Sequence, residues 1–187
     1  MKIVILDRDG VVNEDSDAYI KSAEEWIPIA GSPQAIARLN RAGFHVLVAT
    51  NQSGIGRGYF DIETLARMHD KMHRIVREAG GQIDGVVYCP HTPEDNCDCR
   101  KPKPGMLDEI SQRLGHDLSE TFIVGDSLRD LEAAQAVGAK PVLVRTGKGQ
   151  KTVEEHGRKL KDIPVFDDLA SFVEDLLTPE ASSEDKL

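Results

Sequence analysis

Nowhere in this chain do the roughly 20 apolar residues needed to cross a bilayer run together, so no membrane span is expected. Positive charge is also in short supply. The 23 Lys and Arg are outnumbered by 32 Asp and Glu, a net charge of −9. That balance excludes nucleic acid and anionic membranes as non-specific partners. An anionic substrate would need placed cations or a divalent metal to offset the repulsion. Cysteine is scarce, with three residues bunched at positions 89, 97 and 99. An odd, clustered set argues against a disulfide framework and for a reducing, cytoplasmic setting. The apolar opening Met1 to Leu6 runs straight into Asp7 without a small-residue cleavage site, so it reads as a buried strand and not as a signal peptide.

What remains is an ordinary globular composition. With 187 residues and 40% hydrophobic content, the chain suits one packed domain, expected over 1–177. The polar tail, 178–187, is predicted to be disordered. No internal repeat is visible.

Short β-branched runs at 2–6, 45–49, 85–88, 122–124 and 142–144 predict buried strands, with a short edge strand at 165–166. Helices are predicted between them. One opens at Ser32-Pro33, with serine as cap, and stops at Gly43. A longer one is capped by Asp61 and ends at Gly80-Gly81. Others run to Leu114, over 128–137 and over 168–177. The proline-rich stretch 89–104 is irregular. Strands alternating with helices predict an α/β fold: a three-layer, Rossmann-like parallel sheet with helices on both faces. Ligands in such folds bind beyond the carboxyl ends of the strands.

The residues that follow the strands are chemically selective. Asp7-Arg8-Asp9-Gly10 follows the first, Thr50-Asn51-Gln52-Ser53 the second, and Gly125-Asp126 the fourth, with Asp130 one turn on. Arg100-Lys101-Pro102 precedes the third long helix. Carboxylates, a hydroxyl and a lysine gathered on one sheet edge suit magnesium and a phosphate.

These four segments resemble the four motifs of the haloacid dehalogenase superfamily, in order and over residues 3 to about 146. Lys101 is preferred to Lys103 for the third motif because it follows Arg100 directly. The resemblance implies that Asp7 attacks phosphorus, and that Asp9 protonates the leaving group and then activates water. It implies that Thr50 and Lys101 hold the phosphoryl group. It further implies that magnesium is held by Asp7, Asp126 and the carbonyl of Asp9, with Asp130 bracing that shell.

Cys89-Pro90-His91 is followed by Cys97-Asp98-Cys99. Three thiols and an imidazole suit tetrahedral zinc with no open position, hence a structural site that holds Arg100 and Lys101 in place. A zinc loop running into Arg-Lys-Pro resembles a capless branch of the superfamily. That resemblance implies hydrolysis of a sugar phosphate: removal of the 7-phosphate of a heptose bisphosphate, leaving the 1-phosphate for nucleotide-heptose synthesis toward lipopolysaccharide. Histidinol phosphate is the alternative substrate. No separate cap is expected, so the site should be open. Specificity is assigned to Asp15, Ser16, Asp17, Tyr19, Asn51, Gln52, Ser53 and Arg100, the last suited to a second phosphate. The acidic loop Asn13 to Tyr19 departs from the family pattern, and sugar preference is the property that departure touches. The protein is expected to act as a monomer.

Other signals carry less. Ser53 to Gly58 is glycine-rich, but its GxGxG spacing is not a dinucleotide fingerprint, and it reads as a flexible turn near the site. Residues 145–149 lack P-loop spacing. His69 and His73 lie at i, i+4 and read as a solvated helix face. Trp26, Met68 and Met72 read as packing residues. From other classes, a non-catalytic phosphate-binding receiver-like domain lacks a counterpart of Asp9, and a purely structural zinc module would not need Asp7.

Overall fold

The structure, a computed structural model, describes residues 1–178. The expected disorder of 179–187 lies outside the described residues.

The chain lays down β1 (Lys2–Leu6), α1 (Ser32–Arg41), β2 (Phe44–Asn51), the short α2 (Ser53–Gly56), α3 (Ile62–Glu78) and β3 (Gly85–Cys89). It continues with α4 (Gly105–Leu114), β4 (Phe122–Gly125), α5 (Leu128–Ala136), β5 (Lys140–Val144), α6 (Gly149–His156), β6 (Val165–Phe166) and α7 (Leu169–Leu177). The strands form one sheet in the order β3-β2-β1-β4-β5-β6, and all five pairings are parallel. The order reverses between β1 and β4, so the crevice past their carboxyl ends is where a ligand is expected.

The pleat sends alternate residues into two apolar layers. Val4, Leu6, Val46 and Val48 pack with Ile36, Met68, Met72 and Phe172 on one face. Ile3, Ile5, Leu47 and Ala49 pack with Met106, Leu107 and Ile110 on the other. Burial on both faces is why the strands read as continuous apolar runs rather than alternating ones. Trp26 is fully buried in the first layer, as expected.

Three local expectations are revised. Ser32 is not the cap of α1. That place is taken by Gly31 in a left-handed conformation (φ 88°), while the Ser32 hydroxyl donates to the carbonyl of Val11 at 2.7 Å. Ser53 to Gly58 is not a loose turn. It begins with α2, where a side chain at Gly54 would overlap the Phe60 ring and one at Gly56 would press on the carbonyl of Pro90. Helix α6 was not expected at all, because its sequence is polar and it starts at a glycine. It is secured by Thr152, whose hydroxyl donates to the carbonyl of Asp126 at 2.9 Å.

Candidate active site

Asp7 directly follows β1, and its N–H donates to the carbonyl of Val124 at 2.9 Å, which fixes the turn beside β4. Its own Oδ1 accepts from the Arg8 N–H at 2.7 Å. Asp126 follows β4 on the adjacent strand. Two glycines make room for it: a Cβ at Gly10 or at Gly147 would overlap the Asp126 carboxylate. Both glycines hold positive φ (87° and 56°), where other residues are strained. Asp126 Oδ2 accepts from the Lys148 N–H at 2.8 Å.

Lys101 enters from the opposite side and is 4% exposed. Its Nζ lies 3.1 Å from Asp7 and 2.7 Å from Asp130, and it donates to the carbonyl of Ala49 at 2.7 Å. All three ammonium hydrogens are thereby directed. Asn51 clamps the lysine's main chain, accepting from the Lys101 N–H and donating to its carbonyl, both at 3.1 Å. Asp130 accepts from the Ser127 N–H at 3.0 Å and its hydroxyl at 2.7 Å, closing a capping box at the start of α5. Thr50, at the end of β2, is almost fully buried; its Oγ1 accepts from Gln52 Nε2 at 2.9 Å, and the same amide donates to Asp9 Oδ2 at 2.9 Å.

The electrostatics are unbalanced. Burial pushes the Asp7 carboxyl up to about 7, although Lys101 pulls the other way. Burial, then the Asp130 and Asp7 charges, pushes Asp126 up to about 8. Asp130 goes down despite its burial, because Lys101 and the Ser127 donors outweigh that cost. For Lys101, burial is opposed and exceeded by the Asp130 and Asp7 carboxylates, so its pKa rises. One ammonium therefore serves three close carboxylates: oxygens of Asp7, Asp126 and Asp130 lie within 4.8 Å of one another. With Asp130 committed to Lys101 and Ser127, Asp7 and Asp126 are left close together, largely buried and without a cation of their own. That surplus of hard oxygen and negative charge fits a divalent cation such as magnesium. The side chain of Asp9 is not part of the cluster; it is bound instead by Arg8, Asn13 and Gln52.

These groups floor a cavity of about 350 Å³. Of the residues assigned to specificity, Asp15, Ser16, Asp17, Tyr19, Asn51, Gln52, Ser53 and Arg100 all line it. Lys148 lies 3.3 Å from Asp15, and Tyr19 packs edge-on to Tyr59 at 5.2 Å between ring centres. The wall also holds three cations that the sequence analysis passed over: Arg57, Arg129 and Lys148. Lys148 follows the fifth strand, so the strand-end rule applied there would have found it. Arg57 sits in the glycine-rich run dismissed as a turn, and Arg129 is the neighbour of Asp130. The solvated-face reading of His69 is also corrected. Its ring is half-buried and turned toward the sheet, 3.3 Å from Arg8.

The four zinc candidates converge. Cys89, Cys97 and Cys99 have sulfur–sulfur separations of 3.1 to 3.6 Å, and His91 Nδ1 lies 3.3 Å from Cys99 and 3.6 Å from Cys89. Four N/S donors gathered this closely fit a tetrahedral zinc with no coordination position to spare.

A six-stranded parallel sheet with a carboxylate-rich crevice at its switch point defines a class, and sequence comparison agrees: the chain belongs to the HAD-like hydrolase family. A HAD-hydrolase-like family profile matches residues 98–172. The chain is 56% identical to the D-glycero-beta-D-manno-heptose-1,7-bisphosphate 7-phosphatase of Neisseria meningitidis serogroup A, over 98% of this chain and 99% of that one. It is 56% identical to the enzyme of the same name from Pseudomonas aeruginosa, over 94% of this chain and 97% of that one. Its fold matches the crystal structure of D,D-heptose 1,7-bisphosphate phosphatase from B. bronchiseptica complexed with magnesium and phosphate. That match has a TM-score of 0.91 at 54% identity and covers 95% of this chain and 98% of that one.

Proposed function

We propose that the chain removes the 7-phosphate of D-glycero-D-manno-heptose 1,7-bisphosphate through an aspartyl phosphate on Asp7. The observation that carries this reading is the set of contacts around Asp7: Lys101 at 3.1 Å, and the Asp126 carboxylate close by in a pocket with surplus negative charge. The names of the relatives supply the sugar.

Asp7 attacks phosphorus in line as the bridging oxygen departs. Asp9 gives that oxygen a proton, then takes one from the water that opens the aspartyl phosphate, so protons balance over the cycle. Thr50 and Lys101 grip the phosphoryl oxygens, and Asp130 keeps Lys101 aimed. Asp7, Asp126 and the carbonyl of Asp9 would hold magnesium, which would supply positive charge to offset that of the carboxylates and the phosphoryl group. Cys89, His91, Cys97 and Cys99 would hold zinc, which would anchor the segment that delivers Arg100 and Lys101. Arg100, with Arg57, Arg129 and Lys148 nearby on the wall, receives the second phosphate. The cluster of local cations answers the repulsion that a −9 chain offers a bisphosphate.

The scheme is that of a single domain, 1–177, acting as a monomer on a small sugar phosphate. Among the described residues no helix is long and apolar enough to cross a membrane, and the odd, clustered cysteine set is what favours a cytoplasmic setting.

The experiment is phosphate release from the heptose bisphosphate, its monophosphate and histidinol phosphate, side by side with magnesium. The bisphosphate should be strongly preferred, and Asp7→Asn should abolish turnover of all three. Arg100→Ala should raise KM about tenfold for the bisphosphate, the worth of a charged hydrogen bond, and leave the monophosphate unchanged. Preference for histidinol phosphate would transfer the assignment to that substrate.

A further inference from the structure

The Asp9 carboxylate is held from the protein side by a cation that has no exposure to solvent. Arg8 is fully buried, while the Asp9 side chain retains 21% exposure, toward the cavity. Arg8 Nε donates to Asp9 Oδ1 at 3.0 Å, and Nη2 reaches Oδ1 at 2.8 Å and Oδ2 at 3.1 Å. Asn13 Nδ2 adds a third donor to Oδ1 at 2.8 Å, and Gln52 Nε2 a second to Oδ2 at 2.9 Å. Oδ1 thus takes three donors and Oδ2 two, so Oδ2, on the side of Gln52 and Thr50, is the less crowded oxygen and the one we assign to the proton.

The remaining guanidinium nitrogen faces away from the site. Nη1 lies 3.3 Å from His69 Nε2 and 3.7 Å from Met68 Sδ, both on α3. A guanidinium only donates, so Nε2 must accept, which fixes His69 as the neutral ring protonated on Nδ1. Stability alone does not call for a cation here, because a buried ion pair is often no better than a well-packed apolar residue of similar size. What the pair adds is direction: a planar fork holds a carboxylate in one plane, and α3 holds the fork.

We propose that Arg8, braced by His69, is the positioning residue that orients Asp9 so that Oδ2 faces the leaving oxygen and the attacking water. This rests on the reading of Asp9 as acid and base given above. Arg8 itself neither gains nor loses a proton. The Asp9 Oδ2–H bond breaks as the bridging oxygen takes the proton and leaves phosphorus. It re-forms when water attacks the aspartyl phosphate.

A leaving-group comparison tests it. Alkoxide departure from a sugar phosphate needs a proton, whereas nitrophenolate departure from p-nitrophenyl phosphate does not, and kcat/KM reports that step. Asp9→Asn, run in parallel, tests the underlying reading. It should lose on the order of 1,000-fold with the sugar phosphate and far less with the aryl phosphate. Arg8→Met should show the same contrast, on the order of 100-fold with the sugar phosphate. His69→Leu should show it at about fivefold, the worth of one hydrogen bond, and His69→Gln, which keeps an acceptor, should recover it. Should Arg8→Met not fold, the two His69 variants carry the test with the guanidinium intact. Equal losses on both substrates in Arg8→Met and His69→Leu, with Asp9→Asn still discriminating, would overturn the proposal. Equal losses in Asp9→Asn itself would remove the acid–base reading beneath it.

Discussion

Lys101 Nζ lies 2.7 Å from Asp130 Oδ1, with 5% and 2% of the two side chains left in solvent. The same ammonium meets Asp7 at 3.1 Å. Asp130 therefore aims the lysine at the phosphoryl site and closes the first turn of α5 at once.

Removing one partner of such a buried pair strands the other. Asp130→Ala should lower unfolding stability by about 3 kcal/mol and reduce kcat as Lys101 loses its aim. Urea denaturation of both proteins measures the first effect. A loss below about 0.5 kcal/mol would mean that the pair is dispensable to the fold.

In the metal-free protein Asp7 and Asp126 are both raised above their ordinary 3.8, to about 7 and about 8. The folded state then binds more protons than the unfolded one from about pH 4 upward, so this contribution to stability falls as pH climbs through the folded values. Magnesium needs both carboxylates ionised and removes that penalty. The rise in Tm on adding magnesium should accordingly be larger near pH 8 than near pH 6. Equal shifts in calorimetry at the two pH values would contradict the raised carboxyls.

Elemental analysis should find one zinc per chain. Stripping it should lower Tm and raise KM through Arg100, which directly follows Cys99, while the Asp7 chemistry persists at saturating substrate. Unchanged Tm and KM after verified zinc loss would separate the loop from the site.

Much of this was legible in the sequence because the signals are local. Each strand is a short apolar run, each motif residue follows a strand, and the four zinc donors lie within one loop. What was not legible depends on side chains reaching across the fold. His69 looked solvated because nothing near it in sequence needs it; its partner Arg8 is brought to it by β1 packing under α3. Ser32 looked like a cap until Gly31 took that place and freed its hydroxyl for Val11. Helix α6 was missed because its anchor, Thr152, answers a carbonyl on β4's far end, and no hydrophobic period advertises that bond. Asn51, read as a substrate contact from its place beside Thr50, does line the cavity; that both ends of its amide also clamp the Lys101 backbone is what the sequence did not reveal.

Asp7 and Asp126 come together only because Leu6 lies in register with Val124 on neighbouring strands. Everything up to α4 already includes Asp7, Asp9, Thr50 and Lys101, but not Asp126 and Asp130. The cation site is therefore complete only where Phe122–Gly125 lies beside Lys2–Leu6. A chain cut short before β4 lacks half of the carboxylate pair that the two strands bring together.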